Sequence, residues 1–344
     1  MIAVGLALVF LLAGAVGPGS LSVHDQQPPR HAERVDVARV LIDARVVDDA
    51  GRVVHGLVAS DFRVRIDGRP ARIESAEWVG EQTRAAESVA PAPGASAVDP
   101  VRGRLIVFLF QKDLEASRIV GLMRMLIETR TFLDSLGPRD RVAVLSFDSH
   151  LKIWLDFTNR IDRVRDVFAH GILFENPPPI EPVLPPSLMA TLDVVRAHRA
   201  YSMEDALALL GRALEPLPGS KSVVLVGYGF GRLTGNTLFF DRSYGEARRA
   251  LQAARASVFC LDVTDADRHT LEAGLEMTAE DTGGFFARTH LFSTQALDRL
   301  AAALSGHYVL FVEAPAPGKR GRHEIEVDLP VKKGTVLAKR AYAD

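Results

Sequence analysis

Cysteine is almost missing from this chain: one residue, Cys260, in 344. No disulfide can form within it, and a zinc site built from thiolates is excluded by count. Cys260 lies in the apolar run SVFCLDV, where a thiol packs as a small hydrophobe rather than serving as a nucleophile. Aromatic residues are sparse at 7 %, and the two tryptophans, Trp78 and Trp154, read as packing residues. An excess of either charge is also lacking. Lys and Arg number 41 against 43 Asp and Glu, a net charge of -2 with no acidic or basic tail. Nothing therefore argues for nucleic acid. No G-x-S-x-G elbow occurs, which removes the usual signature of nucleophilic hydrolysis. The glycines of Gly227-x-Gly229-x-Gly231 have the wrong third spacing for a dinucleotide fingerprint. The histidines are scattered, without metal-ligand spacing.

What is present is an ordinary globular composition, 47 % hydrophobic and 24 % charged, with length enough for two cores. An apolar run from Ile2 to Val16 is shorter than the ~20 residues of a bilayer span and suits the apolar part of a secretion signal. Residues 1–22 are expected as a signal peptide, the mature protein as exported (secreted or periplasmic) and without a transmembrane segment. Residues 34–80 carry β-branched alternation broken by the turn signals Asp49-Ala50-Gly51 and Asp67-Gly68, which predicts a small β-sandwich-like domain. Residues 81–102, rich in Ala, Pro and Ser, read as a linker.

From Arg104 the pattern changes to strands alternating with helices. RLIVFLF, RVAVLSF, HLKIWLDFT, SVVLVGY, SVFCLDV and HYVLFVEA predict strands, the last as a final central strand. SRIVGLMRMLIETRTFLDSL, SMEDALALLGRALEPL and HTLEAGLEMTAEDTGG predict helices, the second capped by Ser202 and the third ending on glycine. ENPPPIEPVLPPS (175–187) predicts an extended surface loop, since proline removes donors and fixes φ. The expected fold class is α/β: a doubly wound, mostly parallel sheet over 103–313, preceded by the small β domain. A C-terminal β hairpin, 314–344, is expected to close it through a Lys-Lys-Gly turn.

The order of apolar strand, long helix, DRVAVLSFDSHLKIWLDFT, helix, SMEDAL and SVVLVGYG resembles the von Willebrand factor A-type fold. The tail AEDTGGFFARTHLFSTQALDRLAAALSGHYVLFVEA, followed by GRHEIEVDLPVKKGTVLAKRAY, is similar to the exported bacterial VWFA-related proteins. So is the V-x-D-x-x-G-x-x-V-x-G-L-x-x-x-D-F pattern met by Val46 through Phe62. The resemblance covers residues 35 to 342.

That resemblance implies a metal-ion-dependent adhesion site, with D-x-S-x-S after the first strand, a threonine in a second loop and an aspartate after the fourth strand. Mg²⁺ wants oxygen ligands in octahedral geometry. Here the pattern departs. If the first ligand follows Phe110 directly, it is Gln111; if the strand runs two residues longer, Asp113-x-Glu115-x-Ser117 restores the spacing. Ser202 stands for the threonine, and SVVLVGYGFG offers no acid after the fourth strand. The candidate metal residues are thus Asp113, Glu115, Ser117 and Ser202, for Mg²⁺ or Mn²⁺. The favoured expectation is no cofactor, with Lys112 neutralising the remnant. The expected role is recognition of a protein partner through loops 111–117, 175–202 and 227–241, with Lys112, Tyr228, Phe230 and Phe239 as contacts. The chain is not expected to be an enzyme; the alternative from that class places catalytic groups in loop 227–241.

Overall fold

A computed structural model describes residues 39–80, 103–180, 183–234, 237–314, 321–331 and 333–343. The expected signal segment and the expected linker lie outside the described residues.

Six strands form the first sheet: β4 (Leu105–Gln111), β5 (Arg141–Phe147), β6 (Leu151–Thr158), β7 (Lys221–Gly227), β10 (Ala256–Asp262) and β11 (Phe286–Arg288). Their order is β11-β10-β7-β4-β5-β6, all parallel except the edge strand β6. Counted along the chain within this sheet, the order is 3-2-1-4-5-6, the doubly wound arrangement. The expected α/β layer is present.

Period-two alternation divides each strand between two faces. In β4, Leu105, Val107 and Leu109 join one core; Ile106, Phe108 and Phe110 join the other. Helices α2 (Met203–Leu214), α3 (Ser243–Ala253) and α4 (Glu272–Thr282) cover the first face. Helices α1 (Ala116–Leu133) and α5 (Ser293–Ser305) cover the second, beside a helical stretch around Phe168 and Ile172. Burial on both sides is why these strands read as unbroken apolar runs. Helix α4 ends, as expected, on Gly283 with φ +76°.

The second sheet has seven strands and departs from the expectation. It contains β1 (Arg39–Val47), β2 (Arg63–Ile66), β3 (Arg69–Gly80), β12 (Gly306–Glu313), β13 (Arg322–Asp328), β14 (Thr335–Ala338) and β15 (Ala341–Ala343). Their order is β14-β1-β12-β3-β2-β13-β15. HYVLFVEA is therefore a central strand of this antiparallel sheet, between β1 and β3, and not a strand of the parallel one. Nor is the front segment a sandwich of its own: its three strands share one sheet with the chain's last four. The C-terminal hairpin forms only in part. β13 pairs with β2 and β15, whereas β14 pairs with β1. Only Lys339 and Arg340 separate β14 from β15, the two ends of the strand order, so the sheet must curl to bring its edges together. The β2–β3 hairpin does turn at Asp67-Gly68, both at positive φ, as the sequence predicted.

All described residues belong to one compact unit, Val37–Asp344. Buried polar groups tie its two sheets. Arg45 of β1 donates to the Ala303 carbonyl (3.0 Å) and to Ser257 Oγ (2.8 Å). Asp43 accepts from Arg255 Nε at 2.9 Å and faces His307 at 3.3 Å.

Candidate functional site at the switch point

The strand order reverses between β4 and β7, so their carboxyl ends diverge and leave a crevice, the place where open α/β sheets bind ligands. Gln111 ends β4 in this crevice and is buried. Its Oε1 accepts from the amides of Tyr228 and Gly229, both at 3.1 Å, and its Nε2 donates to the Gly229 carbonyl at 2.8 Å. A carboxylate could accept those amides but has no proton for the carbonyl. The carboxamide does both, and so clamps the two strands at the position where the resemblance places a first ligand. The glycines beyond β7 are close-approach residues. A Cβ on Gly227 would lie 2.5 Å from Gln111 Oε1, and one on Gly229 would lie 2.1 Å from the Leu271 carbonyl.

The expected ion ligands are satisfied by protein groups. Asp113 is paired with the Arg118 guanidinium and accepts from the Glu115 amide at 3.1 Å. Glu115 accepts from Ser117 Oγ at 2.9 Å and pairs with Arg118 Nε at 3.1 Å. Burial alone would raise the Asp113 carboxyl; the Glu115 amide and Arg118 more than offset it and hold it below its usual range. Arg118 also lies over the Tyr228 ring, 4.1 Å from its centroid. Ser202 does what its N-cap position suggests: its Oγ accepts from the Asp205 amide at 3.1 Å. Lys112, expected to neutralise this loop, instead faces Asp148 at 3.8 Å. Arg118, on the first turn of α1, takes that role. Burial would raise Asp148 too, but Lys152 at 2.7 Å and the Ser149 amide bring it down to about 2. A hard divalent ion needs about six oxygens. The clamped carboxamide, the paired acids and the capping serine do not fit one.

Beside Gln111 lies a cavity of about 340 Å³, lined by Tyr201, Glu204, Tyr228, Phe239, Phe240 and Asp241 among others. The expected contacts divide here. Tyr228 is half-buried and Phe239 is 49 % exposed on the rim. Phe230 is a correction: only 5 % exposed, it packs edge-on against Phe240 at 6.1 Å and lines the cavity from within the core. Phe239 belongs to a small hairpin of β8 (Arg232–Thr234) and β9 (Thr237–Phe239). Glu204, in the first turn of α2, is 4 % exposed, and its Oε1 accepts from the Asp241 amide at 3.3 Å. Burial pushes its carboxyl above the usual range. Asp241 shifts the other way, held down by the amide and hydroxyl of Ser243. Sequence reading passed over Glu204, because an acid in the first turn of a helix is ordinary.

The proline-rich loop is at the surface along most of its described length, as expected, and is anchored at its end. Asp156 of β6 accepts from Ser187 Oγ (2.6 Å) and the Leu188 amide (2.7 Å), and Leu188 is buried in the core. Two histidine placements were also illegible in the sequence. His269 Nε2 sits 2.8 Å from Asp262 Oδ2, and these two with Glu272 form the one group of at least three ligand-type side chains within 4.8 Å among the described residues. Glu272 is held there by Arg288 Nε at 2.8 Å, an ion pair within the protein. His150 and His198 stack at 4.8 Å across two loops.

No family model matches the sequence, and no curated protein matches it either. Among solved structures the chain is similar to a von Willebrand factor type A protein from Catenulispora acidiphila, at 13 % identity over 82 % of this chain and 73 % of that one, TM-score 0.41. It is similar to the conserved hypothetical protein BatB from Bacteroides thetaiotaomicron, at 14 % identity over 58 % of this chain and 97 % of that one, TM-score 0.39. It is similar as well to the ArnB paralog VWA2 from Sulfolobus acidocaldarius, at 9 % identity over 88 % and 75 %, TM-score 0.36.

Proposed function

We propose that this chain is an exported recognition module of von Willebrand A type that binds a protein partner at the switch-point edge without a divalent cation. The observation that carries this reading is the cavity beside Gln111: a concave site with aromatic walls at the ligand edge of the sheet, next to an ion position occupied by the protein's own hydrogen bonds. Tyr201, on its wall, is 76 % exposed, and Leu233, next to the lining residue Arg232 on β8, is 51 % exposed, apolar surface of the kind that anchors protein interfaces. Export rests on the apolar run Ile2–Val16. Among the described residues no helix is long and apolar enough to cross a membrane.

Panning a phage-displayed random peptide library on the wild type, with Tyr201→Ala/Phe239→Ala as counter-selection, tests the reading. Enriched peptides that bind the wild type and lose the double variant are expected. Enrichment of none, or only of peptides indifferent to the two substitutions, rejects it.

A second reading, an acid–base enzyme, draws on one observation: Glu204 and Asp241 line the same cavity with carboxyls shifted in opposite directions. It predicts turnover of a small-molecule library that disappears in Glu204→Gln and Asp241→Asn alike. Activity indifferent to both substitutions, or none at all, removes it.

A further inference from the structure

The cavity's charge is unbalanced. Two carboxylates line it: Asp241 feels the guanidiniums of Arg232 and Arg242, whereas the charged neighbours of Glu204 are the acids Asp241 and Asp205. Among the described residues no Lys, Arg or His nitrogen lies within 4.0 Å of either Glu204 or Asp241. Glu204 is more than nine-tenths buried, and its hydrogen bonds come from uncharged backbone amides, its own and that of Asp241 at 3.3 Å. Buried carboxylates are ordinarily paired, because desolvation without a counter-charge is strongly unfavourable. The same cavity is lined by the rings of Tyr201, Phe239 and Phe240, and by Tyr228, whose face already carries Arg118. Aromatic faces in a cavity that also holds a carboxylate attract a cation and offer nothing to an anion.

We propose that the cavity receives a lysine or arginine side chain of the partner protein, with Glu204 as its counter-ion. The inference rests on the recognition reading above and names the chemistry recognised. It reverses the polarity that the resemblance implies, in which a bound cation takes a partner's carboxylate: here the acid belongs to this chain and the cation to the partner. The volume of about 340 Å³ is at the small end of ligand cavities, ~300–1,000 Å³. That suits one long side chain. A side chain delivered by a polypeptide, rather than a free amine, is favoured by the surroundings: among the described residues no further strand pairs with the two-stranded β8–β9 ladder, and Tyr201 and Leu233 are exposed apolar surface. A small free cation would leave all of this uncovered.

Calorimetric titration of the full chain with blocked tripeptides Ala-Lys-Ala, Ala-Arg-Ala and Ala-Glu-Ala, and with methylguanidinium, tests the proposal. The basic tripeptides are expected to bind, the acidic one not to bind, and methylguanidinium to bind more weakly than Ala-Arg-Ala. Glu204→Gln keeps the side-chain volume and is expected to weaken basic binding at least about tenfold. Arg232→Glu, on an exposed strand, is expected to strengthen it, and decides the matter if Glu204→Gln melts at a lower temperature than wild type. The proposal is overturned if no basic tripeptide binds, if the acidic one binds equally, if a folded Glu204→Gln binds as wild type does, or if Arg232→Glu leaves affinity unchanged. Methylguanidinium binding as tightly as Ala-Arg-Ala would assign the cavity to a free cation and reject the partner side chain. Library peptides that need Tyr201 and Phe239 yet carry no Lys or Arg would sink this inference and leave the recognition reading standing.

Discussion

At the scale of single residues, Gln111 decides the chemistry of the edge. Its three hydrogen bonds join the ends of β4 and β7 in a buried crevice. Gln111→Ala would leave the Tyr228 and Gly229 groups unpaired, and should destabilise by about 2–3 kcal/mol in urea denaturation. Arg118 is the second determinant. With it in place, Mg²⁺ at about 10 mM should leave the melting temperature unchanged. Arg118→Ala frees Asp113 and Glu115 from their shared cation, and is expected to give a measurable Mg²⁺-dependent rise that wild type lacks. For Glu204 the sign follows from burial. Its raised folded pKa means that the native state holds the proton more tightly than the unfolded chain. Wild-type stability should therefore decline as pH rises from the unfolded glutamate's pKa of about 4.3 through the higher folded value. Glu204→Gln has no such decline. Its advantage over wild type should be near zero at low pH and grow toward neutrality, read from urea midpoints across that range.

At the scale of elements, local rules placed most strands and helices where the sequence predicts them. β4, β5, β6, β7 and β10 are apolar runs, α2 begins at its Ser202 cap, and α4 ends on Gly283. These features are set by neighbours in sequence, so they are legible there. The loop after β7 is different. Its glycines read as a flexible loop, yet Gly227 is required because a Cβ would collide with Gln111, more than a hundred residues away. Gly227→Ala should cost about 1–3 kcal/mol by overpacking the clamp. Comparing it with Gly219→Ala, where a Cβ meets nothing within 4 Å but φ is +72°, separates that clash from backbone strain. Gly227 lies outside the positive-φ region, so a Gly227→Ala variant as stable as wild type would show that the clash contributes nothing. The candidate site was half legible for the same reason. The departures at Gln111 and after β7 are visible in sequence, whereas Arg118 as the neutralising cation and Glu204 as the buried acid depend on side chains converging from separate elements.

At the scale of the whole molecule, β12 makes one sheet out of the two ends of the chain, pairing with β1 and β3. The Asp43, Arg255 and His307 cluster fastens that sheet to the α/β layer. Burial alone would raise the Asp43 carboxyl; bonds to His307 and Arg255 outweigh it and hold it well below the usual carboxylate range. Asp43→Ala leaves the half-buried Arg255 without its carboxylate, and should destabilise by about 2–3 kcal/mol at neutral pH. For wild type, this contribution is complete above the unfolded aspartate's pKa of about 3.9 and is lost as pH falls toward the depressed folded value. The variant should lack that part of the acid sensitivity, which urea midpoints taken between neutrality and acid would reveal.

The sequence by itself determined the elements, the alternation that gives each strand two buried faces, and the loss of acidic oxygens where an ion would bind. Hydrophobic period, capping residues and loop composition act over a few residues, and are written there in full. Only the tertiary structure decided that HYVLFVEA leaves the parallel sheet for the antiparallel one, that β13 and β14 go to different partners, and that Gln111 seals the switch point while Glu204 stands buried beside it. A strand's apolar face specifies that it must be covered but not by which distant segment, and a carboxylate's environment exists only once α2 and the loop before α3 have closed around it.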